Sequence, residues 1–209
     1  VTDPLTELAL HYGTDKARDH WYTPHYERRF REMREAPITL LEIGVGGYAT
    51  PSAGGKSLRM WRDYFPNAVI VGLDCMPQDA VEGCFIELGD QGDPAFLCQL
   101  GARYDGFDIV VDDGSHRPAD HLRSWWALWP FVREGGWYCI EDIGTAYIEH
   151  YGGSMDNSET SIGMVQGLVD AIHHHERYDA NHWPSKVERS VVELNVTRNL
   201  VMIRKGDNA

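Results

Sequence analysis

The chain has 209 residues, 43% of them hydrophobic and 24% charged, a composition that is globular rather than disordered and suits one domain with a sizeable core. No run approaches the ~20 apolar residues of a membrane span. With 19 Lys and Arg against 32 Asp and Glu, a net charge of −13, the chain is a poor binder of phosphate backbones or anionic membranes, and its field suits a neutral or cationic small molecule.

The opening VTDPLTELAL lacks the basic start and long apolar run of a signal peptide. It begins with Val rather than Met, so an upstream piece is expected to have been trimmed. Residues 1–36 read as a helical cover. ITLLEIGV (38–45) is an apolar strand ending in glycine. SLRMWRDYF (57–65) has helical spacing and is closed by Pro66. NAVIVGLD (67–74) is a second strand, and PAFLCQLG (94–101) a short helix capped by Asp93. FDIVVDD is the third strand. Pro118 opens a helix that runs through HLRSWWALWPFV to a stop at Gly135-Gly136, and WYCIEDI (137–143) follows as a strand. ETSIGMVQGLVDAIHHHERY (159–178) is a helix, with His173–His175 on an exposed face. VERSVVELNV and NLVMIRKG close the chain as an antiparallel hairpin. Continuous apolar strands alternating with helices imply a doubly wound, mostly parallel α/β sheet, here a single domain over 1–209. The four cysteines form no CxxC pair. They read as reduced, buried thiols of a cytoplasmic protein, Cys75 and Cys139 in or beside core strands.

In such sheets ligands bind at the carboxyl ends of the strands, and the unexpected acids gather there: Glu42, Asp74, Asp112-Asp113 and Glu141-Asp142. LLEIGVGGYA holds G-x-G-x-x-A (Gly44, Gly46, Ala49), which alone fits a dinucleotide fingerprint. That fingerprint needs a helix to begin at once beneath the pyrophosphate, and residues 50–55 intervene. GGKS (54–57) fails as a P-loop because its first glycine position is Thr50. E-x-G-x-G followed by an acid closing the next strand is the pattern of a fold that binds S-adenosylmethionine. Gly44 and Gly46 let the cofactor approach the backbone, Asp74 accepts the ribose hydroxyls, and Asp90 and Gln91 meet the adenine. A tight turn without a ligand is the plain alternative.

Asp112, Asp113, Glu141 and Asp142 end neighbouring strands, with His116 close behind Asp113. This is a hard oxygen set suited to Mg²⁺, Mn²⁺ or Ca²⁺, and His116 and His121 are too few for zinc. Capping by Asp113 or Ser115, and pairing of Glu141-Asp142 with Arg117 or Lys186, are the structural alternatives.

The stretches HYGTDK, HWYTPHYERRF, LLEIGVGG, VDDGSH and GGWYCIEDI span most of the chain and carry a resemblance to the metal-dependent sugar O-methyltransferases of antibiotic tailoring. That family includes the mycinamicin VI and demethylmacrocin enzymes, with the enzymes named cephalosporin hydroxylases and the rhamnosyl O-methyltransferases as more distant kin. The resemblance implies a class I methyltransferase fold, with Asp113, Glu141 and Asp142 as Mg²⁺ (or Mn²⁺) ligands and His116 as general base. It also implies that Tyr22 and Thr23 close over the methionine end. The cofactor set is then Tyr22, Thr23, Glu42, Gly44, Gly46, Asp74, Asp90, Gln91 and Asp112. The family's macrolide members carry an extra N-terminal domain; by this resemblance the chain is expected to start directly at the catalytic part, so the macrolide substrate and the tetrameric assembly are not carried over. Substrate choice is expected in YATPSAGGK and YIEHYGGSMDNSET, with Tyr147, His150 and Tyr151 on a lid over 144–160.

The expected reaction is methyl transfer to a sugar hydroxyl of a glycosylated natural product, by a homo-oligomer, favoured as a dimer. The metal would hold an acceptor diol and lower its pKa, and His116 would take the proton. Three other classes stay open: a nicotinamide oxidoreductase using G-x-G-x-x-A and Asp74, a metal hydrolase or iron oxygenase using Asp113, His116 and Asp142, and a non-catalytic binding module.

Overall fold

Helices and strands alternate along the chain as their apolar periods require, and the strands form one seven-stranded sheet in the order β3-β2-β1-β4-β5-β7-β6. The computed structural model describes residues 2–48, 50–156, 158–176 and 182–208. These fall into two compact units, Val1–Gln91 and Gly92–Ala209.

In the first unit three short helices lead the chain: α1 (Pro4–Tyr12), α2 (Asp15–Arg18) and α3 (Thr23–Phe30). Asp3 caps α1 by accepting the Thr6 N–H, and Gly13 ends it in the left-handed conformation, where a Cβ is unfavourable. Strand β1 (Thr39–Ile43) is buried at every residue. It pairs in parallel with β2 (Val69–Asp74), which pairs in parallel with β3 (Cys84–Leu88). Helix α4 (Lys56–Tyr64) joins β1 to β2 and buries Leu58, Met60, Trp61 and Tyr64. Its Trp61 meets Tyr26 edge-on at 5.4 Å and stacks with Phe65 at 6.1 Å. Such ring pairs each add about 0.5–1.5 kcal/mol beyond area burial.

The second unit begins with α5 (Pro94–Arg103), whose cap Asp93 accepts the N–H groups of Ala95 and Phe96. Strand β4 (Phe107–Asp112), helix α6 (Pro118–Leu128) and strand β5 (Val132–Glu141) form a parallel crossover. Helix α7 (Ser161–Ile172) follows, then the hairpin β6 (Val191–Thr197) and β7 (Leu200–Lys205). Strand β7 runs antiparallel to both β5 and β6, so the sheet is mostly parallel with an antiparallel edge.

Several local expectations change. The helix opened by Pro118 ends at Leu128, before Pro130, which has no N–H to continue it. Gly135-Gly136 therefore lies inside β5, where the pairing with β4 shifts register between Phe107 and Ile109. Gly135 has φ +79°, and a Cβ on Gly136 would stand 2.7 Å from the Asp108 carbonyl oxygen. Strand β3 had no sequence signal, because it is an edge strand that exposes Phe85 and Leu88. The expected helix 159–178 stops at Ile172 and gives way to a 3₁₀ turn, His174–Glu176. Residues 177 and 178 lie outside the described residues. His174 is buried with its Nε2 2.6 Å from the Asn208 carbonyl oxygen, so the histidine triplet is not a uniformly exposed face. The expectation of buried thiols holds for Cys139 alone: Cys75 and Cys98 are exposed and Cys84 is half-buried. No helix among the described residues is long and apolar enough to cross a membrane.

Candidate active site

In the first unit the glutamate of E-x-G-x-G is an anchor. Glu42 is fully buried on β1, its Oε1 3.3 Å from the Lys16 ammonium. The Ser57 hydroxyl donates to Oε2 at 2.6 Å and the Trp61 indole N–H donates to Oε1 at 3.2 Å. A buried carboxylate is tolerable only when its charge and lone pairs are met. Here α2, β1 and α4 are tied together by meeting them.

Beyond β1 the chain turns at Gly44 (φ +92°) and Gly46 (φ +76°), a region L-residues rarely adopt. Among the described residues, nothing stands within 4 Å of where a Gly46 Cβ would lie. The backbone there is open to approach, as a cofactor would need. A 3₁₀ turn, Pro51–Ala53, intervenes before α4 begins at Lys56. The immediate helix start demanded by a dinucleotide fingerprint is absent, and its third position, Ala49, lies outside the described residues. Asp74 ends β2 half-buried and accepts the Val45 N–H at 3.0 Å and the Met76 N–H at 2.9 Å. A carboxylate offers about four acceptor sites, so both oxygens keep capacity for ligand hydroxyls. Asp90 is exposed and Gln91 buried in the loop after β3. Tyr22 and Thr23 are buried at the start of α3. The Tyr22 hydroxyl lies 3.1 Å from His20 Nδ1, and the Thr23 hydroxyl 2.7 Å from that of Thr6.

The second unit separates the paired acids. Asp112, the last residue of β4, is fully buried. Its Oδ2 accepts hydrogen bonds from the hydroxyls of Ser124 and Tyr138. Burial first, and then the Asp112 charge, push the Tyr138 hydroxyl well above the ordinary tyrosine range, which keeps it a neutral donor. Asp113 turns outward instead. Ligand atoms of Asp113, His116 and Asp142 all lie within 4.8 Å of one another, and all three residues are half-buried. His116 Nε2 is 3.8 Å from Asp142 Oδ2, while its Nδ1 is buried without a hydrogen-bond partner among the described residues. Glu141, at the end of β5, is 1% exposed and is not part of that trio.

Both arms of the trio are held in unusual backbone. His116 has φ +56° and Asp142 φ +50°, and left-handed non-glycine residues persist only where their surroundings over-determine them. The Thr145 hydroxyl is one such restraint, 2.6 Å from the His116 carbonyl oxygen and 2.9 Å from that of Asp142. Ser115 supplies another by donating to Asp120 at 2.8 Å and accepting the Arg117 N–H at 3.2 Å, so it acts as the turn cap foreseen as an alternative. Asn199 supplies the third. Its Nδ2 donates to Asp142 Oδ1 at 2.7 Å. Sequence reading missed Asn199 because 57 residues separate it from its partner.

Behind the trio, His121 on α6 is fully buried. Its Nδ1 is 3.4 Å from the Ser161 hydroxyl and its Nε2 has no partner among the described residues. Burial pushes it below the ordinary histidine range, against the opposing pull of Asp112. Of the expected lid residues, Tyr147 and His150 are exposed and Tyr151 is half-buried, its ring 6.5 Å from that of His116. Asn157 of that segment lies outside the described residues.

Two carboxylates and an imidazole converging in a half-open turn can hold a hard dication that keeps open positions for further oxygen ligands. No family model matches the chain. It is 47% identical over 211 residues to the mycinamicin VI 2''-O-methyltransferase of Micromonospora griseorubida, covering 98% of this chain and 53% of that protein. It is 47% identical over 213 residues to the demethylmacrocin O-methyltransferase of Streptomyces fradiae, covering 98% and 54%. Among solved structures, MycE methyltransferase from the mycinamycin biosynthetic pathway, in complex with Mg and SAH, superimposes with a TM-score of 0.94 at 45% identity, covering all of this chain and 55% of that one. A further MycE complex holds Mg, SAH and mycinamycin VI, with a TM-score of 0.93 at 44% identity. The chain spans about half the length of the relatives it matches. Over 98% of its length the chain is a homologue of the sugar O-methyltransferases of antibiotic pathways, and it has the α/β fold of the MycE methyltransferase.

Proposed function

We propose that this chain carries the catalytic machinery of an S-adenosylmethionine- and Mg²⁺-dependent O-methyltransferase acting on a sugar hydroxyl of a glycosylated natural product. The observation that carries this reading is the trio Asp113, His116 and Asp142, gathered within 4.8 Å at the ends of β4 and β5 in a chain with these homologues. When bound, a hard dication would be held by Asp113 and Asp142, with Glu141 beside them, and supplies Lewis acidity toward an acceptor diol. S-adenosylmethionine supplies the electrophilic methyl, and Gly44, Gly46 and Asp74 are the residues that would hold it.

The acid–base work falls to His116. Its Nε2, on the Asp142 side of the ring, takes the proton that the acceptor hydroxyl loses as the oxygen attacks. The imidazolium so formed faces the Asp142 carboxylate, which stabilises its charge. A positioned base of this kind contributes about 10² to 10⁴ in rate. The left-handed turns at His116 and Asp142 keep both groups aimed before substrate arrives, so orientation is not lost to side-chain freedom. Asp112 serves this site from behind, because its bonds to Ser124 and Tyr138 fix the end of β4 from which Asp113 projects. Four free thiols accord with a cytoplasmic setting, and a dimer remains part of the proposal, read by sedimentation.

The test is incubation with S-adenosylmethionine and mycinamycin VI, the glycoside held by a solved homologue, with products followed by mass spectrometry. Gain of one methyl group that requires Mg²⁺ and stops on chelation is the expected result. Turnover indifferent to chelation, or a product formed without the sulfonium donor, overturns the reading.

A further inference from the structure

We infer that Asn199 is a positioning residue that aims the Asp142 carboxylate, and that the turn between β6 and β7 thereby sets the metal affinity of the site; this rests on the reading of Asp142 as a metal ligand. The register of the sheet makes it possible. Glu141 on β5 pairs with Leu200 on β7, so residue 199 stands beside residue 142 although the two are far apart in the chain.

Three polar atoms of Asn199 are committed to the Asp142 segment. Its Nδ2 donates to Asp142 Oδ1 at 2.7 Å, its Oδ1 accepts the Gly144 N–H at 2.9 Å, and its backbone carbonyl accepts the Ile143 N–H at 3.3 Å. The pattern fixes the amide's orientation, because a flipped carboxamide would set N–H against N–H and oxygen against carboxylate. With Oδ1 of Asp142 so engaged, Oδ2 is the oxygen left on the His116 side, 3.8 Å from its Nε2. Outer partners that hold a ligating carboxylate typically matter 10- to 100-fold in metal affinity.

Two features separate this role from ordinary turn chemistry. Asn199 has φ +64°, a conformation that glycine adopts at least as easily, so a residue wanted only for the turn is replaceable by glycine. At Gly144 the atoms within 4 Å of an added Cβ are Asn199 Oδ1 at 2.6 Å and Cγ at 3.7 Å. Gly144 is therefore small because the Asn199 carboxamide occupies that space.

The experiment titrates Mn²⁺ alone into the whole chain and follows free Mn²⁺ by electron paramagnetic resonance, with circular dichroism and Tm reporting the fold. Asn199→Gly is expected to stay folded and to bind Mn²⁺ about 10- to 100-fold more weakly. Gly144→Ala, which pushes the carboxamide aside, is expected to weaken Mn²⁺ in the native background and to have no further effect in Asn199→Gly. A folded Asn199→Gly with native affinity overturns the inference, as does a Gly144→Ala effect of equal size in both backgrounds. Should Asn199→Gly fail to fold, Gly144→Ala alone decides: native Mn²⁺ affinity in it overturns the inference and weakened affinity supports it. Absence of Mn²⁺ binding by the native chain removes the metal-site reading itself, a different result from native affinity that the variants leave unchanged.

Discussion

Glu42 and the Asp113–His116–Asp142 trio both place carboxylates toward the carboxyl ends of sheet strands, yet their surroundings are opposite. Glu42 is fully buried against a lysine, a serine and a tryptophan. Asp113, His116 and Asp142 are half-buried, with a ring nitrogen of His116 left without a partner among the described residues. A carboxylate whose charge and lone pairs are met by its own chain holds the fold together. Asp113 and Asp142 instead converge, half-buried, with His116 on one small space, the arrangement that a cation site needs.

The contrast is broken most severely on the Glu42 side. Lys16→Met leaves a buried carboxylate without its counter-charge, and loss of one partner of a buried pair costs about 3–5 kcal/mol; urea unfolding should show a correspondingly lower midpoint. His116→Asn tests the other side. Asparagine tolerates the left-handed backbone, so Tm should hold while turnover falls at least about a hundredfold. A fall in Tm with turnover spared would invert the two assignments.

A smaller effect sharpens the boundary between the two kinds of site. Burial holds the folded-state pKa of His121 below its ordinary value, so at low pH the unfolded chain binds a proton that the folded chain refuses. Its contribution to stability is complete above about pH 6.5 and is lost as pH falls toward the depressed folded value, with a limiting slope of about 1.4 kcal/mol per pH unit. Denaturant unfolding between pH 7 and 5 should show this slope, and His121→Leu should flatten it. The smallest effect concerns the thiols. Cys75 and Cys98 are exposed, Cys139 is buried, and burial pushes the Cys84 thiol up to about 11. A thiol reagent at pH 8 should therefore titrate Cys75 and Cys98 quickly, and Cys84 and Cys139 only on unfolding.

The strands and the position of the site were legible because continuous apolar runs ended in acids that no core would choose without reason. Asp113, His116 and Asp142 stood out on that ground. Their separation from Asp112 did not, since adjacent residues of a strand point to opposite faces and the sequence does not say which face is filled by Ser124 and Tyr138. Strand β3 escaped because an edge strand need not be apolar on both faces. The glycine pair at 135–136 is an ordinary helix stop by composition, and only the shifted register of β4 and β5 reveals it as a bulge. Lys16 and Asn199 were invisible for a common reason: each acts on a partner brought near by tertiary pairing, and no local spacing encodes that.

The hairpin of β6 and β7 gives the order of chain synthesis a chemical meaning. A ribosome that has reached Asp142 has already made every acid and the imidazole of the trio, but 57 residues separate Asp142 from the amide that grips it. Until that turn emerges and β7 pairs with β5, a nascent polypeptide holds the three side chains without the bond that aligns Asp142.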